Sequence, residues 1–292
     1  MTIGENFDNL FQQAVSAIDA GNEETLKQLL DTHPELATNR LYSPGEWVTT
    51  VIGDALKSFF KDPYLLWFVS EDAVRNGKLP KNIATIASII IQKAKSAKEV
   101  NLQEQLDYAL RLIAWSTVAR DCGVQIELLD VLINSGANIN SVSNDALVNG
   151  NVDAAKHLVE RGGKLTLPTA LCLEKWEEAD ALAVNATRDE KQFSLVLAAL
   201  IGKAAAVSKT ISYGVDINKP SDDLFSHGTP LHHAVWSGSL DTVKVLVNAG
   251  ANLDAIDTAW NGTPLGWAEY GNRKEIAGYL KEIGTNKRAT GN

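Results

Sequence analysis

Gly228-Thr-Pro-Leu-His-His-Ala-Val-Trp-Ser-Gly238, followed by Ser239 to Val247 and then Asn248-Ala-Gly-Ala-Asn-Leu-Asp254, is the stretch whose reading decides the fold. Pro230 suits the first turn of a helix, where its missing N–H removes no bond from the ladder. After Gly238, Leu240, Val243, Leu246 and Val247 recur at steps of three and four, which gathers them on one face of a second helix of about three turns. Gly250 then ends that helix, because glycine takes a positive φ without a Cβ penalty. A helix this short with one apolar face is not stable alone, so it needs neighbours built the same way.

The same apolar stripe returns along the chain. Leu26, Leu29 and Leu30 follow Glu23; Ile83, Ile86, Ile89 and Ile90 form another copy, as do Ile126, Leu129, Leu132 and Ile133. Val152, Ala155, Leu158 and Val159 come next, and then Ala204, Val207, Thr210 and Ile211. Glycines at 136, 162, 214, 250 and 284 are expected to close copies, at steps of 26, 52, 36 and 34 residues. The step of 52 asks for a further weak copy at its midpoint near Arg188, read as Glu178, Ala181, Val184 and Asn185 after a helical segment from Ala170 to Lys175. A shorter first helix precedes each stripe, for example Leu106 to Val118, Ser194 to Ile201 and Thr229 to Trp236. Two antiparallel helices per unit, stacked side by side, predict an all-α solenoid.

The residues from Gly228 to Asp254 closely resemble one ankyrin repeat, and Asn261-Gly-Thr-Pro-Leu265 opens a second copy 34 residues after the first Thr-Pro-Leu. Asn134-Ser-Gly-Ala-Asn-Ile-Asn140 and Tyr213-Gly-Val-Asp-Ile-Asn218 are similar to that family's closing phrase, and Ala20 to Leu30 resembles its second helix. The resemblance implies an ankyrin-like α-solenoid over residues 1–285, one array of about seven or eight repeats. The best-matching repeats are at 226–285, long hairpin loops occur mainly in the C-terminal repeats, and 286–292 is a flexible tail. Residues 41–105 hold more than one unit requires, with Pro44, Trp47, Pro63, Trp67 and Pro80 in the excess, so an enlarged or inserted unit is expected there. The final copy carries Gly266 where the family usually has a polar residue and slips by one position into Ile276, Tyr279, Leu280 and Ile283, with Lys274 and Lys281 outward as a solvent-facing cap. In such repeats the threonine and histidine of Thr-Pro-Leu-His are structural, which assigns Thr229 and His232 to the fold.

Composition narrows the function classes. Of 292 residues, 45% are hydrophobic and 22% charged, as in folded soluble proteins, and the net charge of −9 disfavours nucleic acid and anionic lipid. Met1 to Gln13 carries Glu5 and Asp8 where a secretory signal would be basic. The most apolar run, Ile83 to Ile91, is far short of the roughly 20 residues of a membrane span. Cys122 and Cys172, two thiols set in apolar helical stretches, suit a reduced, cytoplasmic protein.

No catalytic, cofactor or metal site is expected. Among the five histidines, His227, His232 and His233 crowd together, but adjacent residues diverge on a helix, so His232 reads as structural and His233 as surface. The aromatic residues are more informative. Trp236, Trp260 and Trp267 fall where ankyrin-type repeats usually expose binding residues, and Phe225, His227, His233, Asn261 and Tyr270 lie in equivalent or adjacent positions. The alternative for Trp236 and Trp267 is packing between units. Together these residues form a candidate partner-binding patch, because aromatic anchors concentrate binding energy. The expected function is a non-catalytic module that binds a partner protein of basic or mixed surface on its concave face and loops. Two alternatives remain: a homo-oligomeric scaffold in which the patch is a self-association contact, and an enzymatic or regulatory insertion within 41–105 around Glu71 and Asp72.

Overall fold

The structure is a computed structural model, in which residues 3–42, 45–48, 61–70, 77–97, 101–140 and 142–290 are described. Among them there are helices and no extended strand; Ser221 and Leu224 make one isolated bridge. The fold is the all-α stack of helix pairs that the periodicity predicts, and the chain divides into two compact units, residues 1–164 and 165–292.

In the first unit, α1 (Ile3–Asp19) packs on α2 (Glu23–Thr32), which Asn22 caps by accepting from the Thr25 N–H at 3.0 Å. The helices α3 (Ile83–Ser96), α4 (Leu102–Trp115), α5 (Thr117–Asp121), α6 (Gln125–Ser135), α7 (Val142–Val148) and α8 (Val152–Glu160) follow. The stripe helices α2, α3, α6 and α8 pack successively in one row, while α1, the 3-10 segment Leu65–Val69, α4 and α7 make the other. Leu65–Val69 therefore stands where a unit's first helix belongs. All five of its residues are buried, and Trp67 meets Tyr108 of α4 at 4.4 Å between ring centroids. Glu71, Asp72 and Pro44 lie outside the described residues. Buried amides tie helices within and between pairs: Gln125 Nε2 of α6 donates to the Ile113 and Ser116 carbonyls at the end of α4, and Asn151 Nδ2, ahead of α8, donates back to that of Ala114 in the preceding pair.

The second unit contains α9 (Leu167–Cys172), α10 (Trp176–Asn185), α11 (Arg188–Leu200), α12 (Ala204–Ile211), α13 (Pro230–Ser237), α14 (Leu240–Asn248), α15 (Pro264–Tyr270) and α16 (Lys274–Thr290). Each odd-numbered helix packs on the next even-numbered one. The odd helices also pack in sequence, as do α12, α14 and α16. Helix starts are chemically marked: Thr187 and Glu190 form a reciprocal capping box on α11, and Ser239 and Thr263 cap α14 and α15.

Four details differ from the sequence reading. The weak copy lies two residues earlier, as Trp176, Ala179, Leu182 and Ala183: Ala179 and Ala183 are buried, whereas Glu178, Ala181, Asn185 and Val184 are exposed. No glycine closes it because α10 ends at Ala186 in extended backbone that leads directly into Thr187. Gly136, Gly162, Gly214 and Gly250 take positive φ as expected, but Gly284 lies inside α16. That helix runs to Thr290, into the segment read as a tail, since no proline or left-handed residue interrupts it. Cys122 follows α5 as its C-cap and accepts the Leu79 N–H through sulfur, so only Cys172 is inside a helix.

Candidate functional site

The two longest repeat steps place two hairpin loops, 212–229 and 249–263, ahead of α13 and α15. These loops and the helices behind them enclose a cavity of about 620 Å³, lined by Leu200 at the end of α11, Phe225, His227, His233, Trp236, Trp260, Gly262, Gly266, Trp267 and Tyr270. Seven of the eight residues singled out from sequence thus converge. Asn261 does not line the cavity; it is exposed and turns the second loop with φ of 55°.

Trp267 is the hub. Its ring stacks near-parallel to His227 at 5.8 Å and meets Trp260 at 5.6 Å and Trp236 at 6.1 Å in edge-on geometry. Such offset and edge-on contacts suit the quadrupoles of the rings, so the wall holds its shape through ring packing. Trp267 is half-buried, while Trp236, Trp260 and Tyr270 are 48%, 69% and 87% exposed, so both alternatives for the tryptophans occur in one cluster.

His233 is buried, not at the surface. The first loop folds over it, and its Nε2–H donates to the Phe225 carbonyl at 3.1 Å. Burial pushes its pKa down to about 4, so the ring is neutral near physiological pH. Phe225 has φ of 46°, a strained backbone for a bulky residue, and the histidine bond helps fix it there. His232 is fully buried and structural as expected: Nδ1 accepts the Thr229 N–H at 3.2 Å, and Nε2–H donates to the Gly262 carbonyl at 3.1 Å. Its pKa is also lowered, chiefly by burial.

The residue that organises the site is one that sequence reasoning missed. Asp257 is buried; its Oδ1 accepts the Ala259 and Trp260 N–H groups at 2.8 and 2.7 Å, and its Oδ2 accepts the Gly262 N–H at 2.7 Å and Trp267 Nε1–H at 2.9 Å. Burial works to raise this carboxyl's pKa, but the four donors outweigh it and hold it at about 2. One carboxylate therefore fixes both the loop that carries Trp260 and the helix that carries Trp267. An aspartate five residues before a glycine and six before Thr263-Pro264 was the available signal. Gly266 contributes by absence: it occupies the place His232 has in the preceding repeat, and leaves that volume to the cavity.

The titratable side chains of the lining are the imidazoles of His227 and His233 and the phenol of Tyr270, and no carboxylate, thiol or primary amine lines the cavity beside them. Among the described residues no group of three or more His, Cys, Asp or Glu side chains could hold a metal ion, and no helix is long and apolar enough to cross a membrane. Burial raises the Cys172 thiol to about 12, which makes it inert, and Cys122 is half-buried.

A sequence model of ankyrin repeats in three copies matches residues 144–257 and 195–290. Similar curated proteins include human cyclin-dependent kinase 4 inhibitor B, 34% identical over 28% of this chain and 57% of that protein. Cyclin-dependent kinase inhibitor 2A of Monodelphis domestica is 30% identical over 31% of this chain and 51% of its own. Palmitoyltransferase Hip14 of Drosophila melanogaster is 32% identical over 27% of this chain and 12% of its own. The chain spans about half the length of the two inhibitors it matches. With the repeat pattern matched over half its length and paired helices stacked in register behind it, this chain belongs to the ankyrin-repeat family.

Proposed function

We propose that the second unit is a non-catalytic protein-docking module, and that its partner seats side chains in the aromatic cavity between the loops before α13 and α15. The observation that carries this reading is the cavity itself: exposed Trp236, Trp260 and Tyr270 surround half-buried Trp267, and Asp257 anchors both Trp267 and the loop that carries Trp260. A rigid frame lowers the ordering cost of docking, and aromatic anchors give large contact area per lost rotamer. Similarity to two proteins named as kinase inhibitors supports a protein partner. The free thiols are compatible with a cytoplasmic setting.

Affinity capture from native extract tests this, comparing the parent with Trp236→Ala and Trp260→Ala after circular dichroism shows equal helicity. Partners retained by the parent and lost from both variants support the reading; equal recovery by all three removes it. The exposed tryptophans also suit self-association. Light scattering that shows a concentration-dependent dimer, abolished by Trp260→Ala, would favour that use of the same surface.

A further inference from the structure

The chemistry of the expected occupant follows from what surrounds the aromatic walls. No lysine or arginine lines the cavity, and Arg273 is held at the Trp236 carbonyl, with its Nη2 2.9 Å from that oxygen. The stretches 216–227 and 251–262 that bound the cavity carry Asp216, Asp222, Asp223, Asp254 and Asp257 against Lys219 alone. Asp257 accepts from the indole nitrogen of Trp267, and a carboxylate bonded there makes the indole face more electron-rich, the state that attracts a cation most strongly. Several acceptors at the cavity are already used: the Phe225 carbonyl by His233, the Gly262 carbonyl by His232 and the Trp236 carbonyl by Arg273. A strongly hydrated ammonium would lose water there with few replacement bonds. A guanidinium, weakly hydrated and planar, stacks on the rings and keeps its N–H edge free for water or a loop carboxylate.

The first unit contains an internal example of this chemistry. The Arg40 guanidinium lies 4.3 Å over the Tyr64 ring and 5.2 Å from the centre of Trp67, paired with Glu104.

We infer that the cavity receives an arginine side chain from a basic segment of the partner protein, because aromatic faces without a cation of their own stand between loops carrying five aspartates and one lysine. This rests on the docking reading above and adds the chemistry of the partner. The aspartates of the two loops draw the basic segment in, and the tryptophan faces hold the guanidinium once it is seated.

The test uses the full chain and four blocked peptides identical except at two central positions, which carry arginine, citrulline, lysine or leucine. Binding is measured by calorimetry and by tryptophan fluorescence at two salt concentrations. Arginine is expected to bind tightest, about tenfold above its neutral isostere citrulline, with an affinity that falls as salt rises. Trp260→Ala abolishes the preference, and the pair Asp222→Asn and Asp223→Asn reduces it at low salt without touching the cavity walls. Equal binding of arginine and citrulline, tighter binding of leucine, or no binding of any peptide overturns the inference. If partner capture still depends on Trp260 in those cases, the docking site stands and only its arginine specificity falls. Partner capture that ignores Trp260→Ala removes both.

Discussion

Asp257→Asn isolates the frame from the walls. The substitution keeps size and shape but replaces one carboxylate oxygen with an NH2 group, and each oxygen now accepts two N–H bonds between 2.7 and 2.9 Å. The amide can satisfy the Ala259 and Trp260 pair or the Gly262 and Trp267 pair, never both. Two buried donors are left facing a donor, at about 1–3 kcal/mol each. An independent figure comes from linkage. Holding the carboxyl at about 2 instead of 3.8 corresponds to about 2.5 kcal/mol of folded-state stabilisation. Because the folded value is the lower one, this stabilisation is complete above the unfolded value near 4 and fades as pH falls through about 2. The variant is expected to lose about 2–5 kcal/mol at neutral pH and to lack that acid dependence. Hydrogen exchange at the Ala259, Trp260 and Gly262 amides and the Trp267 indole reads the local effect, and urea unfolding the global one. A variant that loses less than about 0.5 kcal/mol and exchanges as slowly as the parent would refute the role given to Asp257.

Buried neutral His233 makes a second pH signature: its folded value of about 4 lies below the ordinary 6.5, so stability is complete above about 6.5 and declines as pH falls toward 4. Urea midpoints measured across that window should fall for the parent and fall less for His233→Gln, whose amide can still donate to the Phe225 carbonyl. Val184→Lys should change stability by less than about 0.5 kcal/mol while Ala183→Lys lowers it by several, which urea unfolding distinguishes and which checks the register of α10. Gly266→Ala should stabilise α15 by up to about 1 kcal/mol in thermal unfolding, since its added Cβ meets only Thr263 Oγ1 at 3.5 Å, while narrowing the cavity and weakening partner capture. Under native conditions a thiol reagent should modify Cys122 and leave Cys172 unmodified until the protein unfolds.

The paired helices were legible because stripe and turn signals coincide in most copies: Leu240, Val243, Leu246 and Val247 sit between a serine cap and Gly250. The copy at Trp176 to Ala183 was misplaced because alanine supplies a weak hydrophobic signal and no glycine marks its end. In residues 41–80 the pattern was opaque for a different reason. Among the described residues there, the 3-10 segment Leu65–Val69 packs in the row of first helices, and a continuous apolar run carries no period to read. The location of the aromatic cluster was visible from the tryptophans. The role of Asp257 was not, because its four partners are assembled by a loop whose path no periodic pattern specifies. His233 was misjudged as surface for the same cause: the cover that buries it comes from the loop bearing Phe225, not from its own helix.

The most direct measurement is hydrogen exchange of the chain with and without its captured partner. The account predicts that new protection concentrates in residues 225–236 and 257–270. Protection confined to residues 1–164, with those two stretches unchanged, would contradict it.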